Sequence, residues 1–130
     1  MNTPTVYLDT TIISAYWYAG ADVASLARRL KTREWWDHER KHFSVRASGV
    51  TEKELRAGEF RRQDDCLNTV RRLRYLATTH ACQVFKDALL HEGVVPVTKP
   101  LDALHMAIAS VHEMESIPSV RMGRDIRRRD

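Results

Sequence analysis

The sequence has few of the features that mark secreted, membrane-spanning or disordered proteins. Its 130 residues include only two cysteines, five glycines and four prolines. No apolar run approaches the roughly 18 residues that cross a bilayer. The N-terminus has neither the charged start nor the apolar core of a signal peptide. We therefore expect a cytoplasmic protein with no membrane partner, folded as one domain that buries about two thirds of its unfolded surface.

Cysteine and tryptophan are rare enough to be considered one residue at a time. Cys66 and Cys82 fall in predicted helices without metal-ligand spacing, so we expect buried free thiols rather than a disulfide. Trp17, Trp35 and Trp36 are expected to fill the core or a partner surface, with base stacking as the less favoured alternative.

Positive charge is in excess, with a net charge of +4, and much of it comes from clustered arginines. A basic balance favours polyanionic partners such as RNA. The alternative is that the cluster in residues 61–74 is a solvated helix face, opposite the apolar residues of the same helix. The clustered residues are Arg61, Arg62, Arg71, Arg72, Arg74 and the arginines of residues 121–129.

Hydrophobic periodicity alternates between short strands and amphipathic helices. The predicted strands cover residues 5–8, 43–47 and 75–78, and a further short apolar stretch covers 94–97. The predicted helices cover residues 12–16, 21–40, 50–57, 61–74, 80–92 and 100–114. Gly93 is a common type of helix stop. This alternation predicts an α/β domain with a parallel sheet.

Three acidic residues follow a strand or begin a helix, although the sequence separates them widely. Asp9 ends the first apolar strand, and Glu54 and Asp102 lie near the starts of two predicted helices. A parallel sheet places strand ends and helix starts at one edge, where these carboxylates can converge. Converging carboxylates repel one another unless a hard cation such as Mg²⁺ binds them. The pattern predicts a metal site formed by these three acids in a metal-dependent hydrolase.

Each of these acids also has a structural explanation. Asp9 could serve only as the N-cap of the next helix. Glu54 could be a surface acid, and Asp102 a first-turn acid that the helix dipole favours. His105, one helical turn after Asp102, is expected to be a packed or hydrogen-bonded helix residue rather than a catalytic base.

Three segments of the chain resemble the three N-terminal acidic motifs of the PIN-domain nucleases, in the same order. They are residues 6–14 with Asp9, residues 51–58 with Glu54, and residues 102–107 with Asp102 and His105. The small single-domain size is similar to that of the VapC-type toxins of type II toxin–antitoxin pairs. The resemblance covers residues 5–115.

The resemblance implies a specific fold and a specific activity. The fold would be a PIN-like three-layer domain with a central, mostly parallel sheet flanked by helices. The activity would be that of an endoribonuclease dependent on Mg²⁺ or Mn²⁺, with Asp9, Glu54 and Asp102 as catalytic and metal-binding residues. Thr10 and Thr11, together with Ser14, offer supporting hydroxyls that could hydrogen-bond a carboxylate or a phosphate. The resemblance also implies an RNA substrate, an antitoxin protein partner and a homodimer.

The C-terminal segment departs from the PIN pattern. After a helix like 100–114, such a domain usually continues with an apolar strand, a fourth acidic or amide site residue, another helix and a last strand. Residues 116–130 are instead basic, and Pro118 would interrupt a central strand. We therefore expect a PIN-like domain over 1–115 and an atypical tail over 116–130, with the last strand or strands missing. Asp125 is the one candidate to replace the missing acid.

Other functions stay open at this stage. One is an impaired PIN homologue that binds RNA or an antitoxin without cleaving. Another is a phosphatase of the haloacid-dehalogenase type, which is disfavoured because Thr11 stands where that class has its second aspartate. A third is a purely structural basic α/β module. Cleavage of DNA rather than RNA also stays open, because nothing in the sequence visibly reads a 2′-hydroxyl.

Overall fold

The computed structural model describes residues 3–116. Four strands occur in this range: β1 (Thr5–Tyr7), β2 (Ser44–Ser48), β3 (Arg74–Leu76) and β4 (Glu115–Ser116). Six α-helices accompany them: α1 (Thr10–Tyr16), α2 (Val23–Glu34), α3 (Gly49–Arg56), α4 (Gln63–Arg71), α5 (His80–His91) and α6 (Pro100–Val111). A π-helix (Trp35–Glu39) and a 3-10 helix (Arg40–His42) follow α2 directly.

The strands form one parallel sheet in the order β3-β2-β1-β4. In the centre, Val6 pairs with Val45, while Arg46 pairs with Arg74 on one side of β2. At the other edge, Val6 pairs with Glu115 of β4. The predicted α/β domain with a parallel sheet is therefore confirmed. Because every strand runs the same way, the residues that follow the strands collect at one edge of the sheet.

Most helices begin where the sequence supplies a short polar side chain. The side chain of Asp22 accepts a hydrogen bond from the Ser25 amide at the start of α2. Ser48 serves the same purpose at α3, and Thr79 at α5. At α6, Pro100 lies at the first helical position, where its missing N–H costs nothing. These caps explain why the predicted helix starts lie within two residues of the observed ones.

The segment predicted as one helix over 21–40 is divided in the structure. Regular α-helix ends at Glu34, and the chain continues through the π-helix that contains Trp35 and Trp36 before the 3-10 turn. Both indoles pack against the apolar residues of β1 and α1. The wider π turn thus occurs where the adjacent side chains of Trp35 and Trp36 pack against the same apolar cluster. Helical periodicity in the sequence does not predict this change of helix type.

Helices cover both faces of the sheet, and β1 contributes to the core on each side. Val6 and Leu8 pack on one face with Ile12 of α1 and the indoles of the π-helix. Tyr7 points to the other face, where it packs with Cys82 of α5 and residues of α6. A third cluster joins α1, β2, α3 and α4. Its buried members are Ile13, Ala47, Leu55, Cys66, Leu67 and Val70.

The predicted states of cysteine and tryptophan agree with this core. Cys66 and Cys82 are free thiols and both are buried. Burial raises the pKa of the Cys66 thiol to about 11. Trp17, Trp35 and Trp36 are partly buried and pack against core clusters, as expected for space-filling residues.

Gly93 ends α5 in a left-handed conformation, with a φ of +73°. Its amide donates to the carbonyl of Leu90, and the amide of Val94 donates to the carbonyl of Leu89, a pairing that satisfies the last carbonyls of the helix. We expect Gly93→Ala to lower the free energy of unfolding by about 1 kcal/mol, because a left-handed backbone is costly for an L-residue. Urea denaturation measures this loss.

Gly49→Ala is the matched control, because a Cβ at Gly49 meets no atom within 4 Å and the residue begins α3. Its stability should be unchanged or slightly higher, since alanine favours helix. Equal losses in both variants would show that the left-handed conformation at Gly93 is not the cause.

Two segments differ from the simple strand–helix alternation. Residues 94–97 form turns and bends rather than a strand. After α6, residues 115–116 form the short strand β4, which pairs with β1. From the sequence, the strand that follows this helix was expected to be missing. Asp125 and the other residues of the predicted tail after Ser116 lie outside the described residues. Within residues 3–116, no helix combines the length and the apolar character needed to span a bilayer.

Candidate functional site

Asp9 lies two residues beyond the end of β1, at the edge where the parallel strands end. It is the N-cap of α1: its Oδ1 accepts from the Thr11 amide at 3.0 Å and from the Thr11 hydroxyl at 2.6 Å. Part of the structural explanation for this aspartate is therefore correct. Within the described part of the chain, Oδ2 of Asp9 takes part in no hydrogen bond, so one carboxylate oxygen is left for another ligand.

Glu54 lies in the second turn of α3, and its carboxylate is held by two neighbouring helices. Its Oε1 accepts from the Thr10 hydroxyl of α1 at 2.7 Å and contacts Nε2 of His105 on α6. The side chain is 25% exposed, which makes it more than a surface acid. As with Asp9, the second oxygen has no hydrogen-bond partner among residues 3–116.

The surroundings keep Glu54 ionised. Burial raises its pKa, but the hydrogen bond from His105, the hydrogen bond from Thr10 and the charge that His105 carries when protonated act in the opposite direction and outweigh it. The net result is a pKa below the ordinary value for glutamate. At neutral pH the group is therefore a carboxylate, the form that binds a cation.

This depressed pKa predicts a pH-dependent contribution to stability. A carboxyl group with a folded pKa below its unfolded value stabilises the fold above the unfolded pKa of about 4.3, and that contribution is lost as the pH falls through the folded pKa. We expect the stability difference between wild type and Glu54→Gln to be largest near neutral pH and to shrink under acid conditions. Urea denaturation across a pH series without divalent ions measures this difference.

Glu59→Gln provides the control, because Glu59 is exposed and has no ion-pair partner among residues 3–116. Its stability relative to wild type should change little across the same pH series. A Glu54→Gln difference that stays constant with pH would contradict a depressed pKa.

Asp102 lies in the first turn of α6, as predicted, and is exposed. No hydrogen bond or ion pair engages its carboxylate within the described residues. Its helix connects it to the other acids, because His105 lies one turn further along and contacts Glu54. Of the three supporting hydroxyls, Thr10 and Thr11 hydrogen-bond the carboxylates of Glu54 and Asp9, whereas Ser14 makes no side-chain hydrogen bond in this part of the chain.

Tyr7 is a site residue that the sequence interpretation missed. Its hydroxyl is buried and lies 2.5 Å from Nδ1 of His105 and 2.7 Å from Oγ of Ser48. Burial is the main reason why the pKa of Tyr7 is raised to about 12; the charges of Asp9 and Glu54 act in the same direction, and the hydrogen bonds with Ser48 and Thr51 oppose it. One signal was available: a tyrosine in an apolar strand brings a hydroxyl that must find a partner once buried.

The carboxylate oxygens at this edge meet only part of what the coordination of a divalent cation requires. Asp9 and Glu54 each offer one carboxylate oxygen that is free of hydrogen bonds in the described region, and oxygen ligands suit Mg²⁺ and Mn²⁺. Across residues 3–116, however, no group of three or more histidine, cysteine, aspartate or glutamate side chains is arranged to hold a metal ion. The three-acid metal site therefore stays a prediction. Carboxylate oxygens of a suitable kind are present, but three of them are not brought together among residues 3–116.

The arginines of the 61–74 cluster are on the surface. All five are exposed: Arg61, Arg62, Arg71, Arg72 and Arg74. Arg62 pairs with Asp65, and Arg71 pairs with Glu52. The other three form no ion pair with the described residues, which leaves their charges available to an anionic partner.

No protein-family model matches the chain, and no curated protein or solved structure is significantly similar to it.

Proposed function

We propose that the protein is an endoribonuclease dependent on Mg²⁺ or Mn²⁺, with a PIN-like domain and the biological role of a toxin in a toxin–antitoxin pair. The observation that carries the proposal is the pair of carboxylates at the strand-end edge of a parallel sheet. Asp9 lies two residues beyond the end of β1, and Glu54 accepts a hydrogen bond from Thr10, the residue after Asp9. This edge is where open α/β sheets place their ligand sites.

In this proposal each residue has a defined part. Asp9 and Glu54 would bind the metal through the oxygens that Thr11, Thr10 and His105 leave unbonded. Asp102 would be a further ligand that reaches the site once the metal and the RNA phosphate are present. A bound divalent ion would supply Lewis-acid stabilisation and a water of lowered pKa. The protein would supply fixed carboxylates, whose orientation is set by hydrogen bonds rather than by the ion.

The exposed arginines fit the proposed substrate. Arg61, Arg72 and Arg74 are not neutralised by described acids and can contact the phosphates of RNA. Such contacts give binding that weakens as the salt concentration rises. They attract the backbone without selecting a sequence, so they do not distinguish one RNA from another.

The RNA cleavage assay tests the proposed activity. Purified protein is incubated with end-labelled total RNA in Mg²⁺, in Mn²⁺ and in EDTA. We expect cleavage with either metal and none in EDTA. Cleavage that persists unchanged in EDTA would contradict a metal-dependent reaction, and no cleavage by protein shown to be folded would contradict the enzyme assignment.

One observation favours a second candidate function, that of a homologue which binds RNA or an antitoxin without cleaving. Glu54 is already engaged by His105 and Thr10, and such a pair can serve purely to join α3 to α6. A Mn²⁺ titration separates the two candidates. Saturable binding that Asp9→Asn weakens supports the enzyme, and no binding supports the non-cleaving homologue.

The protein partners belong to the same proposal. On α2, Val23 is 80% exposed and Leu30 is 70% exposed, seven residues apart on one helix. Exposed apolar residues spaced in this way are typical of surfaces that bind another protein. We assign this face to the antitoxin or to a second copy of the chain, in preference to Trp17, which is partly buried and packs against the core.

A further inference from the structure

His105 is a buried histidine in which both ring nitrogens have polar partners. Only 5% of the residue is exposed. Nδ1 lies 2.5 Å from the Tyr7 hydroxyl, and Nε2 contacts Oε1 of Glu54. The Tyr7 hydroxyl lies 2.7 Å from Oγ of Ser48. A continuous chain of hydrogen bonds thus joins β2, β1, α6 and α3, and it ends on the carboxylate that the proposed function places at the reaction site.

The chemistry of the groups at the two ends of this chain of hydrogen bonds sets which atom donates and which accepts in each bond. An ionised carboxylate only accepts hydrogen bonds, so Nε2 of His105 must carry a proton and donate it to Glu54. When the ring of His105 is neutral, this N–H is its only one, so Nδ1 is then an acceptor. Its donor is the hydroxyl of Tyr7, since a tyrosine hydroxyl ordinarily carries its proton at neutral pH and this one lies within hydrogen-bond distance of Nδ1.

The remaining hydroxyls fit the same direction. The Thr51 hydroxyl donates to the Leu8 carbonyl at 3.4 Å, and Ser48 Oγ accepts from the Thr51 amide at 3.4 Å. Ser48 therefore has its own proton available for the oxygen of Tyr7. Every donor in the buried chain then has an acceptor, which is the condition under which a buried polar network gives rigidity rather than a penalty.

Two donors converge on one oxygen of Glu54. Thr10 bonds Oε1 at 2.7 Å, and His105 bonds the same atom. A carboxylate held in this way cannot rotate without breaking both bonds. Its second oxygen, Oε2, keeps its lone pairs free of hydrogen bonds to residues 3–116 and is held in one orientation.

We propose that Tyr7 and His105 are positioning residues that hold the carboxyl group of Glu54 in one orientation and thereby present Oε2 to the reaction. They act through Glu54 and do not touch the substrate. The catalytic consequence rests on the proposed function, whereas the direction of the hydrogen bonds does not. Outer residues that orient a site carboxylate or histidine are commonly worth about 10- to 100-fold in activity.

The first test is spectroscopic and needs no activity. Nitrogen NMR of the full chain with labelled histidine reports which ring nitrogen of His105 carries the proton, at a mildly alkaline pH where histidine is ordinarily neutral. We expect the proton on Nε2. In Tyr7→Phe the Nδ1 resonance should move, because that nitrogen loses its donor, while Nε2 keeps its proton. A proton on Nδ1 in the wild type, or an unmoved Nδ1 resonance in the variant, would overturn the proposed chain.

Tyr75→Phe is the matched control. Tyr75 also hydrogen-bonds a glutamate of α3, since its hydroxyl donates to Glu52 at 2.9 Å, but it lies outside the buried chain. Its loss should leave both His105 resonances unchanged. Movement of the Nδ1 resonance in this variant as well would show that the spectrum reports general loosening and would overturn the assignment to Tyr7.

The second test separates positioning from a purely structural role. Tyr7→Phe should lower kcat for RNA cleavage by about 10- to 100-fold with KM within about twofold of wild type, whereas Tyr75→Phe should leave both constants unchanged. A Tyr7→Phe protein with wild-type kcat would overturn the positioning role. If the folded wild type cleaves no RNA, the proposed function is wrong, and so is the catalytic role of Tyr7 and His105. The NMR result would still test the direction of the hydrogen bonds.

Discussion

Replacing Asp9 with asparagine should lower kcat for metal-dependent RNA cleavage by about 100-fold or more, the scale seen when one electrostatic group is removed from a transition-state site. The substitution removes the negative charge while keeping the side-chain oxygen that accepts from the Thr11 amide. Asparagine is as good an N-cap as aspartate, so α1 should begin at the same residue. Single-turnover cleavage with saturating Mg²⁺ measures the effect.

Asp22→Asn is the matched control for this loss. Asp22 is also an N-cap aspartate, and its side chain accepts from the Ser25 amide at 2.9 Å at the start of α2. The helix that it caps follows another helix rather than a strand, so its variant should cleave at the wild-type rate. If Asp9→Asn also cleaved at that rate, Asp9 would be a helix cap only and the proposed site would be wrong.

Replacing Ile108 with alanine should produce the largest loss of stability, about 2–5 kcal/mol of unfolding free energy. Ile108 is fully buried on α6 and packs in the cluster that contains Tyr7 and Cys82. The loss combines the transfer free energy of the missing methyl and methylene groups with the cavity left behind, because the sheet and the helix relax only partly. Urea denaturation followed by far-ultraviolet circular dichroism measures it.

Met106→Ala is the corresponding control on the same helix, because Met106 is 39% exposed. Met106→Ala should lower the free energy of unfolding by less than about half as much as Ile108→Ala, since much of the methionine side chain is already in contact with water in the folded protein. Similar losses in the two variants would mean that α6 does not present the observed face to the sheet.

The elements that local signals specify could be predicted well. Gly93 ends α5 because glycine adopts the left-handed conformation that its pairing requires, and the chemistry of Gly93 alone is enough to predict the stop. The buried face of α4 follows from the helical spacing of Cys66, Leu67 and Val70. Parallel pairing followed from the alternation of strands with helices.

The features that depend on packing between distant segments could not be predicted. Glu54 and His105 are separated by 51 positions, and their contact depends on how α3 and α6 pack beside the sheet. The same holds for Tyr7, whose hydroxyl meets His105 across 98 positions. Sequence pattern placed His105 correctly as a hydrogen-bonded helix residue, but nothing local identified its two partners.

The three predicted site acids stay a prediction, and the structure bears only on their local contacts. Asp9 and Glu54 lie at the expected edge with Thr10 and Thr11 as hydrogen-bond donors, whereas Asp102 is exposed and apart from any three-ligand group among residues 3–116. Convergence of like charges is unfavourable without the cation that compensates it. A sequence pattern reports which ligands are available, and it carries no information on whether they meet before the ion binds.

Anomalous diffraction from crystals of the full chain grown with Mn²⁺ would test the central claim most directly. The account predicts one anomalous peak within coordination distance of Oδ2 of Asp9 and Oε2 of Glu54, with Asp102 moved toward it. The peak should be absent in crystals of Asp9→Asn grown under the same conditions. No peak at this edge in the wild type, or a peak bound only by other residues, would contradict a metal-dependent site formed by these carboxylates.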